Sequence, residues 1–371
     1  MTILRNIITP PPQNHEYGSN KISQLQHSSL PNYVFGGGSG AVSVANFLLK
    51  EGIGVEGFCE SAYYYKPNKK ILDRPVLLVD ELLQQDKKHN LVIGASGKSI
   101  YPVIQAERKK GNDVFVFDTT KPLFQMSYDW VKENIDDLQR SFDLLADDLS
   151  RETFLSFIDD KAHCVNVDIK PLWELWNSDQ YFNDLYPFDH FQEHALIDCG
   201  AWIGDTAEEF LSFLKDKNLQ GKVYAFEPEP DNYKKLVTTA ERVGNIECYP
   251  YAVGDKKQDV FFNAGNSSSS SLSSGADGIK IPMMPVDELL SNKEISLIKM
   301  DLEGNEENAL NGMKYIIRQN SPMLAICVYH KVDDLIRIPN CINSNRQKYM
   351  HYLRHHSSTS YETVWYAVPI A

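Results

Sequence analysis

The sequence predicts an α/β protein with two parallel-sheet units, the second the larger, joined by a helical connector. Three observations carry this. Strand-like apolar runs alternate with helical spacing over residues 31–118 and again over 191–371. Each series opens with a strand that runs into a glycine turn and then a helix, "YVFGGGSGA" and "LIDCGAWIGDT". Between them, residues 119–190 are helical and aromatic, with no strand run of convincing length.

Residues 1–30 are polar and proline-containing, without a periodicity that buries a face, and are expected as a flexible or surface-draped tail. The first unit then reads "YVFGGG", "VEGFCES", "RPVLLVDELL", "NLVIGAS" and "DVFVFDT" as strands. The connector carries "WVKENIDDLQRSFDLLADDLS" and "PLWELWNSDQYFNDLYPF". The second unit reads "HALIDCGAWIGDT", "KVYAFEPEPDN", "NIECYPYAVGD", "DVFFN", "ISLIKMDLEGNE" and "MLAICVYH" as strands with helices between them, and closes on a terminal antiparallel hairpin around a Ser/Thr turn. "VDELL" occurs at Val79 and at Val286; Asp80 and Asp287 are each expected to cap a one-turn helix, which explains the echo without duplication.

Bulk properties narrow the function. The 371 residues suggest two or three domains, and 42% hydrophobic content with no run near the ~20 apolar residues of a membrane span suggests a cytoplasmic protein. A net charge of −13 repels polyanions, so neither a nucleic acid nor a membrane is an expected partner. The six cysteines are scattered, with no pair at metal spacing, so no metal site is expected and the thiols should be reduced and mostly buried.

The two glycine turns differ in logic. Gly36, Gly38 and Ala41 fit the G-x-G-x-x-G/A phosphate-binding template. In the second turn, Asp198 ends a strand, Gly200 opens the turn and Gly204 lies where a helix packs close to a ligand. Glu227, stopped by Pro228, then stands at the next strand's C-terminal edge, where it can take both hydroxyls of a ribose. Together these indicate an adenosine-type ligand without separating a nicotinamide dinucleotide from S-adenosylmethionine (SAM).

The last 220 or so residues resemble the FkbM family of SAM-dependent methyltransferases. The resemblance rests on "IDCGAWIGDT", "AFEPEPDNYKKL", "NIECYPYAVGD", "IKMDLEGNEENALNGM", "SPMLAICVYHKVDDL" and "ETVWYA", in that order. It implies a seven-stranded, Rossmann-like class I methyltransferase domain with SAM as cofactor. Asp198, Gly200 and Gly204 would cradle the methionine part, Glu227 would hold the ribose, and Tyr251 and Ala252 would border the adenine; Ala201, Asp205, Thr206 and Tyr181 are further cofactor-binding candidates. Asp301, Glu303 and His330 would face the methyl group as candidate catalytic residues. "YVFGGGSGAVSVANFLLKEGIGVEGFCES", "RPVLLVDELL" and "NLVIGAS" resemble the small Rossmann-like domain that precedes sugar-nucleotide acyltransferases, which would make Glu60 a ribose acid.

The expected function is therefore SAM-dependent O-methylation of a hydroxyl on a sugar, glycan precursor or secondary metabolite. Such hydroxyls ionise far above neutral pH, so a positioned base adds roughly 10²- to 10⁴-fold. Against these roles, Asp301 and Glu303 could simply cap the helix near Asn305, and His355 and His356 read as surface residues. "NSSSSSLSSG" reads as a polar loop, and "GASGKS" lacks the first glycine of a P-loop. The competing functions are a nicotinamide-dependent oxidoreductase using the first glycine turn and a non-catalytic nucleotide-sugar module. Expected partners are a small-molecule or carbohydrate substrate, free or nucleotide-linked; a homodimer is left open.

Overall fold

Apolar runs too short for helices and flanked by glycine turns pair here into parallel strands, so the chain builds two mainly parallel sheets with crossovers, and a third, smaller sheet beside the second. The computed structural model describes residues 3–10, 19–85, 87–94, 100–116, 126–263, 271–273, 279–345 and 348–370. Helices α1 (Ile3–Ile7) and α2 (Ser19–His27) precede the first unit, which comprises β1 (Asn32–Phe35), α3 (Ser39–Lys50), β2 (Gly57–Glu60), β3 (Lys70–Ile71), β4 (Arg74–Leu78), α4 (Val79–Gln84), β5 (Asn90–Ile93), α5 (Tyr101–Lys109) and β6 (Asp113–Val116). Its sheet has the order β3-β4-β2-β1-β5-β6, parallel except for β3.

Part of the segment expected to drape is tied down. Leu4 is fully buried, its backbone N–H donates to Gln139 at 2.8 Å, Arg5 pairs with Asp136, and Ile8 bridges to Val165. The short "ILRNI" helix has too few residues to show periodicity in the sequence, yet Leu4 is enough to anchor it on the connector.

The connector contains α6 (Tyr128–Glu133), α7 (Ile135–Leu144) and α8 (Asp148–Ala162). Asp147 caps α8 by accepting from the Ser150 N–H at 2.8 Å, and also holds Arg354 at 2.6 Å, so the connector is pinned to the terminal hairpin.

The second unit follows with β7 (His194–Cys199), α9 (Asp205–Asp216), β8 (Gly221–Phe226), α10 (Pro230–Val243), β9 (Ile246–Tyr249), β10 (Ala252–Val253), β11 (Gln258–Asn263), β12 (Ser271–Ser273), β13 (Ile279–Met284), α11 (Asp287–Leu290), β14 (Leu297–Met300), α12 (Glu306–Asn311), α13 (Lys314–Asn320), β15 (Met323–Cys327), α14 (Asp334–Ser344), β16 (Tyr349–His355) and β17 (Thr363–Pro369). Seven strands form the sheet β16-β17-β15-β14-β7-β8-β9, with β16 and β17 as the antiparallel hairpin expected from the aromatic runs. β10 to β13 form a separate four-stranded sheet. Of the serine run only β12 is described, and residues 95–99 of "GASGKS" lie outside the described residues.

Central strands β7, β14 and β15 are buried along their length, as parallel strands covered on both faces must be. All six cysteines are free, and five are buried. Among the described residues no helix is long and apolar enough to cross a membrane.

Two expectations are corrected. His355 and His356 are buried: His355 Nδ1 lies 2.9 Å from Thr363 Oγ1, and His356 meets the Asn177 carbonyl and the Tyr366 hydroxyl at 2.8 Å each. The hairpin folds back under residues 176–181, a long-range contact with no local signal. Asp80 and Asp287 do not cap their own helices, whose N-caps are Leu78 and Val286. Asp287 instead accepts from Tyr315 and Ile316 N–H at 2.9 and 3.0 Å, capping α13 from a distance. Asp287→Ala should therefore lower the melting temperature by roughly 2–4 °C, read by scanning calorimetry, with Asp80→Ala having a smaller effect.

Candidate active site

The C-terminal ends of β7, β8 and β14 enclose a cavity of about 400 Å³. The site begins with the turn after β7. Gly200 has φ +80°, and a Cβ there would lie 2.1 Å from the Asp301 carbonyl, so only glycine lets this turn pass under the tip of β14. Gly204, at φ +88°, lets α9 pack against Leu236 and Thr239 of α10. Asp198 lies below the floor, fully buried, 3.0 Å from Lys299 Nζ, and Lys299 donates to the Gly200 carbonyl at 2.8 Å. The pair holds the glycine turn from beneath. Asp205 and Thr206, at the start of α9, line the cavity, while Ala201 is buried behind it.

Glu227 follows β8 directly and faces the same turn. Its two oxygens accept from Trp202 and Glu229 N–H at 2.9 Å each, which fixes the carboxylate and leaves further lone pairs toward the cavity. Burial raises its pKa to about 7, against the lowering pull of those two N–H groups. Ala252 lines the wall beside it, whereas Tyr251 packs against the core at the rim.

On the opposite side stand Asp301, Glu303, Tyr181 and Glu362. His330, after β15, reaches behind them: Nε2 is 3.2 Å from Asp301 and 3.8 Å from Glu303, and Nδ1 is 2.9 Å from Glu306. Burial alone would lower this imidazole, but Asp301 and Glu306 raise it well above its ordinary value. The two carboxylates favour the charged ring and hold it in place between them. Burial likewise opposes ionisation of Asp301, but His330 and Lys299 bring it down to about 2, and Tyr329 donates to it at 3.1 Å.

Glu303 is different: burial raises it to about 7, with Asp301 and Glu306 adding to the shift and His330 opposing it. Asp301, Glu306 and His330 also place donor atoms within 4.8 Å of one another, a grouping that sequence spacing does not show. A metal ion there would have to displace the imidazolium proton, because ligation needs a neutral ring.

Asp301 and Glu303 do not cap the following helix. Its N-cap is Asn305, whose side chain does not bond the helix N–H groups, and it is Glu306 that accepts from Leu302 and Gly304 N–H at 2.9 and 3.2 Å. Those bonds hold Glu303 and Gly304 at φ +52° and +92°. Tyr181, Trp202 and Glu362 also line the cavity with φ between +46° and +64°. Four non-glycine residues around one cavity thus hold a sparsely populated backbone conformation, the kind of strain that clusters at functional sites.

Residues 198–351 match the methyltransferase FkbM domain. The match begins within β7 and runs into β16, leaving the first sheet outside it. A crystal structure of methyltransferase FkbM from Methylobacillus flagellatus KT aligns with a TM-score of 0.56 at 21% identity, over 95% of this chain and 93% of that one, so the shared fold includes the N-terminal unit. Hexuronic acid methyltransferase AglP of Haloferax volcanii is 29% identical over 130 residues, 33% of this chain; the chain spans about half, 51%, of that curated relative.

Glu362 is the cavity residue that sequence reasoning missed. It immediately precedes β17, which runs antiparallel to β15, so the N-terminal end of β17 returns to the edge where the parallel strands end. An acid opening the second strand of a terminal hairpin is the signal that could have found it. Glu362 accepts from Gln180 Nε2 at 2.6 Å, and burial together with Asp301 raises it to about 7. Tyr181 is held by its N–H on the Tyr366 hydroxyl at 3.0 Å, with Lys299 Nζ 5.7 Å from its ring.

Proposed function

We propose that this chain is a SAM-dependent O-methyltransferase acting on a hydroxyl of a sugar, glycan precursor or secondary metabolite. The observation that carries the reading is one cavity with two unlike walls: a glycine turn with the fixed Glu227 carboxylate on one side, and Asp301, Glu303 and Glu362 on the other.

The first wall fits an adenosine ligand. Glu227 accepts the two ribose hydroxyls, Gly200 gives the close approach that a Cβ would block, and Ala252, with Tyr251 next to it in the chain, borders the base. Asp205 and Thr206 face the amino-acid end, with Asp198 and Lys299 fixing the turn below them. Bound SAM supplies a methyl group on a sulfonium, and the surrounding carboxylates favour that positive charge.

The second wall performs the transfer. Asp301, kept ionised by His330 and Lys299, accepts a hydrogen bond from the acceptor and sets its approach in line with the methyl group. Glu303 takes the hydroxyl proton as the oxygen gains its methyl group. Its raised pKa matches it to that task near neutral pH, and the left-handed backbone at Glu303 and Gly304 aims it into the cavity. An acceptor carboxylate would need no base, so this wall favours a hydroxyl. The similarity to a hexuronic acid methyltransferase supports a carbohydrate as the acceptor class.

Incubation with methyl-labelled SAM and a panel of monosaccharides, uronic acids and nucleotide sugars tests the reading. Label should appear as an alkali-stable methyl ether on at least one carbohydrate. Label found only as alkali-labile ester would contradict O-methylation of a hydroxyl.

A further inference from the structure

Tyr181 and Glu362 stand on the same wall of the cavity, and both hold the left-handed backbone conformation, at φ +64° each. A non-glycine residue keeps so sparsely populated a conformation only where its surroundings over-determine it. At Glu303 the clamp is Glu306, through its bonds to the Leu302 and Gly304 N–H groups. For Tyr181 and Glu362 it is His356, which does not line the cavity and is buried just after β16.

His356 reaches both residues. Its backbone N–H donates to the Glu362 carbonyl at 2.9 Å. Its ring reaches Tyr181 through one intermediary, and the partners assign every proton on the way. Nδ1 lies 2.8 Å from the Asn177 carbonyl, which can only accept, so Nδ1 carries a hydrogen. In the neutral ring Nε2 then only accepts, which makes the Tyr366 hydroxyl, 2.8 Å away, the donor. The Tyr366 oxygen in turn accepts from the Tyr181 N–H at 3.0 Å, and the Asn183 side chain bonds the same oxygen. These bonds run in one direction, and none reverses without another being lost. Tyr366 is itself fully buried on β17, in register with Ala325 of β15, so the central sheet fixes where its hydroxyl lies. Gln180 closes the loop by donating to the Glu362 carboxylate at 2.6 Å. The segment that carries Gln180 and Tyr181 starts from a buried anchor, Trp176, packed edge to face on Tyr101 of α5 at 5.4 Å.

We infer that His356 is a positioning residue for methyl transfer, holding Tyr181 through Tyr366, and Glu362 through its own backbone, in place against the acceptor. The inference rests on the methyltransferase function proposed above. Without the imidazole the Tyr366 hydroxyl turns toward another acceptor, and the lone pair that received the Tyr181 N–H turns with it. Tyr181 then relaxes from its left-handed conformation, and Gln180, one residue away, no longer fixes Glu362. The acceptor wall loosens while the Gly200 turn and Glu227, held by their own bonds on the other wall, keep their geometry.

Steady-state kinetics with methyl-labelled SAM and the panel carbohydrate that the wild type labels most strongly test this, beside hydrogen–deuterium exchange of the full chain without ligand. His356→Leu and Tyr366→Phe should each raise the acceptor KM about tenfold, with SAM affinity within about twofold of wild type. A merely destabilised protein loses active molecules, which lowers kcat and leaves KM alone. The double variant should be no worse than Tyr366→Phe by itself, because both substitutions break one chain of bonds. Glutamine offers an amide donor and a carbonyl acceptor at similar reach, so His356→Gln should keep the acceptor KM within about threefold of wild type. Exchange in residues 177–184 should quicken in His356→Leu and Tyr366→Phe and stay slow in His356→Gln. Unchanged KM or unchanged exchange in both single variants, additive effects in the double, or His356→Gln as poor as His356→Leu would each overturn the inference. A wild type that methylates no panel member would instead overturn the methyltransferase reading, and this inference with it.

Discussion

Glu303→Gln should lower kcat by roughly 10²- to 10⁴-fold while leaving the affinity for SAM within about twofold of wild type. Glutamine keeps the size and the left-handed backbone but cannot take a proton. The same residue sets a pH dependence. Burial raises the Glu303 carboxyl to about 7, so it is ionised and competent above that pH and protonated below it. In the wild type at saturating SAM, log kcat should rise with pH up to about 7 and then level, and Glu303→Gln should flatten that limb. Glu362 also titrates near 7 and faces the same cavity. If the limb survives in Glu303→Gln and disappears in Glu362→Gln, the proton goes to Glu362 and the assignment to Glu303 is wrong.

Glu227→Ala should weaken SAM binding by about 100-fold, measured by titration calorimetry, because two hydroxyl bonds to one carboxylate are lost together. The fold should survive, since Trp202 and Glu229 N–H can turn to water at the cavity wall. The sign of the pH effect follows from the raised pKa of this group. Ionised Glu227 accepts from both hydroxyls and protonated Glu227 does not, so wild-type affinity for SAM should fall as pH drops through about 7. The alanine variant should show little of that dependence. Tight, pH-independent binding by Glu227→Ala would remove the ribose role.

Much of this site was legible because its parts are local. The turn Gly200 to Gly204 and the acid before Pro228 each lie within a few residues of a strand end, where sequence pattern and three-dimensional position coincide. Asp301 and Glu303 were legible for the same reason, at the tip of β14.

What the sequence hid arises from long-range contact. Lys299 reads as one charged residue in an apolar strand, and its partners Asp198 and the Gly200 carbonyl come from β7 and the turn after it. His330 reads as a candidate base, and the sequence does not show that Glu306 and Asp301 stand on its two nitrogens and raise its pKa. Glu362 and Gln180 meet across 182 positions of the chain. The first glycine turn was conspicuous in sequence because it fits a widely shared template. That Glu60 overlies Gly37 was not legible there.

Hydrogen–deuterium exchange with and without SAM tests the central claim, that the second glycine turn holds the cofactor. SAM should slow exchange in peptides covering residues 198–206, 226–232 and 301–306, and leave residues 33–42 unchanged. Protection at residues 33–42 in place of those three segments, or no protection at all with saturating SAM, would contradict the account.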